Sequence, residues 1–159
     1  MSNGGMMTHR LGAELGHRFA AVATVVGTVF GDEPRPRRPL QALMLNGMND
    51  ASVPFAGGPP GGFAAAWDGT PARPALDQGK YWAEANGCGG EPEPRDRGAF
   101  RTFSWRCPEG REVELVALEQ GGHAWPGGAR GRRRADEPEK VVAATDRIWE
   151  FFRTHPKGE

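Results

Sequence analysis

Three short stretches of this chain hold residue types that together could perform acyl transfer. The first is Ser2-Asn3-Gly4-Gly5, directly ahead of a run with helical period. In a G-x-S-x-G turn a serine is forced onto a sharp strand-to-helix elbow with its hydroxyl exposed. Met1 stands at the x before Ser2, so the motif is present from its second residue onward. A capping or frayed terminal serine has the same local form. The second stretch, Asn46-Gly47-Met48-Asn49-Asp50, puts Asp50 in a loop just past an apolar strand, where ligand and catalytic groups gather in open α/β sheets. An ordinary turn aspartate after glycine is the other reading of that loop. The third, Gln120-Gly121-Gly122-His123-Ala124-Trp125-Pro126, holds His123 in a tight glycine-flanked loop, whereas His9, His17 and His155 are expected at solvated helix or terminal positions.

The chain order serine, aspartate, histidine at 2, 50 and 123 makes the three signals stronger together than apart. Ser2 would attack a carbonyl carbon, with His123 taking its proton and passing it to the leaving alcohol. Asp50 would hold the imidazole tautomer and stabilise the imidazolium. The tetrahedral oxyanion would rest on the backbone N–H of Asn3 at a helix N-terminus. That is one donor of a usual pair, and loss of one typically costs about 3 kcal/mol of transition-state stabilisation. Trp125 either lines the pocket or is a packing aromatic.

Elements of definite type must position these groups. Met7, Leu11 and Leu15 recur every four residues, which predicts a helix burying that stripe and stopping at Gly16. Residues 19–27 form a continuous, partly β-branched apolar run, expected as a buried parallel strand, and residues 40–45 a second one. Residues 32–39, with three prolines and three arginines, connect them. Residues 57–74, rich in Gly, Pro and Ala, are expected as an irregular excursion anchored by Phe63 and Trp67. A helix over 75–86 ends at Asn86-Gly87, residues 100–107 and 112–118 read as a hairpin, and a last helix starts near Asp136-Glu137-Pro138-Glu139 and runs through Phe152. This order predicts an α/β layer structure.

Composition narrows the partners. Twenty Lys+Arg against 20 Asp+Glu leave no net charge, so nothing draws the whole molecule to nucleic acid or membrane. No stretch approaches the ~20 apolar residues of a membrane span. The dense basic run Arg130-Gly131-Arg132-Arg133-Arg134 lies beside Asp136 and Glu137 and reads as a solvated loop rather than a nucleic-acid site. There are 24 Gly and 14 Pro, few large aliphatics and five Trp, which together describe a compact, loop-rich body. Cys88 and Cys107 have no C-x-x-C partner and no nearby second histidine, so no metal site is expected, and no cofactor is implied.

The segments Ser2–Met7, Asn46–Phe55 and Gly121–Gly127 resemble the polyhydroxybutyrate depolymerase and feruloyl esterase-like family of secreted α/β-hydrolases. The resemblance spans the whole chain but only the C-terminal half of the family's domain. It implies an incomplete domain over 1–159 that starts at the elbow, with a mostly parallel sheet, flanking helices and a small hairpin. It implies further a serine carboxylester hydrolase with the triad Ser2, Asp50 and His123, acting on polyester or on feruloyl or acetyl esters. Through it Cys88 and Cys107 are expected as a disulfide in an exported protein; free thiols in a cytosolic chain are the alternative. One departure is Asn46, where the family usually has histidine before the glycine. The rival expectation is an inactive fragment, from a truncated gene or a misassigned start.

Overall fold

The structure, a computed structural model, describes residues 1–61, 70–131 and 135–157. Among the described residues it is a mixed α/β layer built on a five-stranded sheet with three α-helices. In chain order the elements are α1 (Asn3–Leu15), β1 (Ala21–Val25), β2 (Gln41–Gly47), α2 (Ala75–Asn86), β3 (Gly89–Asp96), β4 (Phe100–Arg106), β5 (Glu112–Leu118) and α3 (Ala144–Thr154). The sheet order is β1-β2-β5-β4-β3. β1, β2 and β5 run parallel, with Val22 opposite Ala42 and Ala42 opposite Val113, while β4 and β3 are antiparallel.

The apolar runs form strands because both faces are covered. Val22, Ala42, Met44, Val113 and Leu115 pack under Trp82 and Ala83 of α2, joined by Trp105 of β4. On the other face Leu43, Leu45, Val116 and Leu118 pack with Ala144 and Phe151 of α3. Burial on both sides removes the alternation a half-wet strand would show. α2 ends as its residues require, with Gly87 left-handed at φ 67° and its N–H bonded to Ala83 and Glu84 carbonyls.

Several expectations are corrected. On α1 the buried residues are Gly5, His9, Gly12 and Ala13, whereas Met7, Leu11 and Leu15 are exposed. Glycine, not bulk, faces inward because the helix lies so close: a Cβ on Gly12 would sit 2.8 Å from the Trp82 ring. His9 is therefore fully buried rather than solvated, and His155 is largely covered, with its ring on Phe151 and Nε2 3.2 Å from Glu112. His17 is exposed. The hairpin gains a third strand, β3, absent from the sequence expectation. Its two prolines and four charges have no strand pattern, and pairing to β4 alone defines it as a sheet edge.

The last helix begins at Ala144 and not near residue 136; the segment before it is held in other contacts, with the Asp136 carboxylate accepting from the His123 N–H and the Glu139 backbone carbonyl accepting from Gly127. In the 57–74 excursion Gly58 pairs with Ala72 as an isolated bridge, while Phe63 and Trp67 lie outside the described residues. So do Arg132, Arg133 and Arg134. Arg130 bonds the Ala135 carbonyl and lies 3.8 Å from Glu137.

Candidate active site

The carboxyl ends of β1, β2 and β5 open on one edge, and every residue of interest gathers there. β2 delivers Asn46-Gly47, and the next turn is pinned to the loop after β5: Met48 N–H donates to the Leu118 carbonyl at 2.9 Å and Asn49 N–H to the Gly121 carbonyl at 2.9 Å. The two backbones pass so closely that a Cβ on Gly47 would lie 2.2 Å from the Gly121 oxygen, so only glycine fits there.

Asp50 sits at the end of this turn with its side chain fully buried. Its Oδ1 accepts from the backbone N–H groups of Ser52 and Val53, both at 2.8 Å, leaving Oδ2 for the His123 Nδ1–H at 2.8 Å. An Nδ1 proton donated to carboxylate assigns the tautomer, so Nε2 is left as the basic nitrogen. The histidine loop is braced separately. His123 N–H donates to Asp136 Oδ2 at 2.6 Å, and a Cβ on Gly122 would lie 2.5 Å from that same oxygen. Asp136 is a site residue that sequence reasoning missed, since thirteen positions of irregular chain separate it from its partner.

Ser2 precedes α1 and adopts φ 52°, ψ −128°, a left-handed backbone uncommon for a residue with a Cβ. It is held there by its N–H on the Val25 carbonyl at 3.0 Å and by its own carbonyl, which accepts from Gly5 at 2.7 Å and Met6 at 3.1 Å. Asn3 is the first helical residue, so its N–H has no intrahelical acceptor. Ser2, Asn3, His123, Trp125 and Asp136 line one cleft of about 710 Å³. Ser2 and His123 thus share a cavity wall, but their side chains are not hydrogen-bonded to each other. Trp125 does two things: its ring packs on the α3 side of the core with Nε1 donating to Thr145 at 3.1 Å, and it borders the cleft.

Away from this edge, Cys88 at the end of α2 and Cys107 after β4 form a disulfide. Among the described residues no cluster of His, Cys, Asp and Glu could hold a metal ion, and no helix is long and apolar enough to cross a membrane.

No family model matches the chain. It is 33% identical over 165 aligned residues to a Nocardia uniformis subsp. tsuyamanensis protein named "Putative esterase NocK", and 31% identical over 137 residues to Feruloyl esterase B of Piromyces equi. The chain is homologous to part of these esterases. The alignments take in 92% and 82% of this chain but 45% and 25% of the relatives, so the chain spans half or less of their length.

Proposed function

We propose that this chain is the C-terminal portion of an α/β-hydrolase domain that cleaves carboxylic esters through Ser2, His123 and Asp50. The observation that carries this is the Asp50–His123 pair at 2.8 Å, with the histidine's second nitrogen left basic beside a cleft that Ser2 also lines. The left-handed Ser2 supports it, because strained backbone is kept where a side chain must be presented. The esterase names of the relatives support the same reaction class.

In this reading His123 Nε2 takes the Ser2 hydroxyl proton as Oγ attacks the carbonyl carbon, and Asp50 stabilises the imidazolium without itself becoming protonated. The Asn3 N–H meets the developing oxyanion at the positive end of α1. The proton then passes to the leaving alcohol, and water hydrolyses the acyl-enzyme by the same relay. The substrates are esters of the polyhydroxybutyrate, feruloyl or acetyl type, and Cys88–Cys107 suits an exported protein. In this reading β1, one of the two sheet edges among the described residues, is paired by a further strand of the same domain.

Hydrolysis of p-nitrophenyl butyrate tests the proposal. Ser2→Ala abolishes turnover, and Asp50→Asn, which favours the wrong tautomer, lowers kcat by about 10⁴. Equal rates for the parent and both variants, or a parent without esterase activity and without modification at Ser2 by diisopropyl fluorophosphate, would leave the inactive fragment as the better account.

A further inference from the structure

Beneath α1 lies a row of buried polar side chains that the reaction above does not use. Trp82 Nε1–H donates to His9 Nδ1 at 3.0 Å, so the His9 proton is on Nε2 and donates to Gln78 Oε1 at 2.8 Å. Gln78 Nε2 donates to Asn46 Oδ1 at 3.1 Å, and Asn46 Nδ2 donates to the Gly27 carbonyl at 2.9 Å. Thr24 Oγ1 adds a donor to Gln78 Oε1 at 3.4 Å. Trp82, His9, Gln78, Asn46 and Thr24 are each at most 1% exposed. Donation runs one way, from Trp82 of α2 to His9 of α1, back to Gln78 of α2 and on to Asn46 at the end of β2, and each link consumes the group the next one offers. Reversing one amide would face donor to donor, so the row admits one arrangement.

The row ends where the backbone is least ordinary. Val26, buried and β-branched, has φ 44°, a conformation that such a residue keeps only where its surroundings impose it. Its N–H is held by the Leu45 carbonyl at 2.8 Å, and the next carbonyl, Gly27, is the one Asn46 holds. Gly27 in turn lies against Gly5, with a Cβ on either placed 3.2 Å from backbone atoms of the other. Gly5 N–H bonds the Ser2 carbonyl, and Ser2 N–H bonds Val25. The two positive-φ residues are thus joined through their neighbours, by the Ser2 N–H on the Val25 carbonyl and by the Gly5–Gly27 backbone contact. Asn46 lies at the end of β2, four positions ahead of Asp50, so the residue whose side chain holds the Gly27 carbonyl is the one whose backbone leads into the aspartate loop.

We propose that His9, Gln78 and Asn46 are positioning residues, which register the Ser2 elbow against the Asp50–His123 pair by clamping the strained Val26–Gly27 turn. This rests on the triad proposed above. A packing role alone would need only apolar groups of similar volume at these positions, and would not need three amide or imidazole groups matched donor to acceptor in a dry interior.

The test uses the full chain and two readouts. The first is the rate of Ser2 modification by diisopropyl fluorophosphate, measured well below each variant's melting temperature so that unfolded protein does not contribute. His9→Leu and Gln78→Met, each filling its space without the polar links, lower that rate by about 10- to 100-fold, as expected for a displaced nucleophile. His9→Gln retains a donor toward Gln78 and stays within about 3-fold of the parent. The second readout is amide hydrogen exchange at Gly5 and Met6, whose N–H groups hold the Ser2 carbonyl. It rises by about 10-fold in His9→Leu and Gln78→Met and is restored in His9→Gln. Variants that melt earlier but keep both the labelling rate and the exchange pattern would overturn the positioning role and leave a packing one. If the parent is not modified at all, the triad fails, and the exchange readout still decides whether the row seats the elbow.

Discussion

Acidification should weaken this fold through His9 by an amount that can be worked out. Burial drives the His9 pKa from 6.5 down to about 4, partly offset by the hydrogen bond to Gln78 and by the negative charge of Glu33. The folded state therefore holds His9 neutral at pH values where the unfolded chain has already taken up a proton. Because the unfolded state binds the extra proton, this contribution is fully present above about pH 6.5 and is lost as pH falls toward 4. At about 1.4 kcal/mol per pKa unit, the loss from His9 is about 3 kcal/mol across that window, a large share of the ordinary stability of a small domain. Urea unfolding of the parent and of His9→Gln at pH 7.5, 6, 5 and 4 isolates the term, since the other titrating groups are common to both chains and cancel in the difference. The parent's advantage over His9→Gln should shrink by about 3 kcal/mol between pH 7.5 and 4, most steeply between pH 6 and 4.5. Parallel stability curves across that range would refute the reasoning, since they would mean that His9 titrates alike in the folded and unfolded chains.

Gly47→Ala should injure the site more than the fold: the added Cβ meets the Gly121 carbonyl at 2.2 Å and must part the aspartate loop from the histidine loop, so the downfield proton resonance expected for His123 Nδ1–H on Asp50 should be lost while the far-ultraviolet circular dichroism is kept. Replacing Cys88 and Cys107 together by serine frees a loop closed across 19 positions and should lower stability by about 3 kcal/mol with little change in Ser2 labelling, because the bridge ties the end of α2 to the end of β4 and touches neither loop of the site; an unchanged urea midpoint would show that the link adds nothing.

Much of the framework was legible because it depends on local pattern. The apolar runs at 19–27 and 40–45 read as strands buried on both faces and contain β1 and most of β2, the helix at 75–86 carried its own stop in Asn86-Gly87, and the apolar residues of 112–118 fit the strand β5, buried along nearly its whole length. Asp50 and His123 stood out because each follows such a strand by a few residues, which places both on the carboxyl edge whatever the rest of the chain does. α1 was legible as a helix but not in its orientation. Met7, Leu11 and Leu15 have the right spacing for a buried stripe, yet Gly5, His9 and Gly12 have it too, and only the nearness of Gly27 and the Trp82 ring decides between them. β3 had no pattern of its own and exists by pairing with β4.

By itself, then, the sequence determined the types of the elements that carry a local pattern, the chain order of Ser2, Asp50 and His123, and the strand ends that Asp50 and His123 follow, because hydrophobic period and turn chemistry act over a few residues at a time. Tertiary structure alone decided that Asp136 braces His123, that a positive-φ valine underlies the serine, and that His9 is a neutral link in a buried row rather than a solvated surface group. Each of these depends on partners thirteen to more than seventy positions away or on strain imposed from outside the segment, and a backbone hydrogen bond or a desolvated imidazole leaves no mark on the local sequence that makes it.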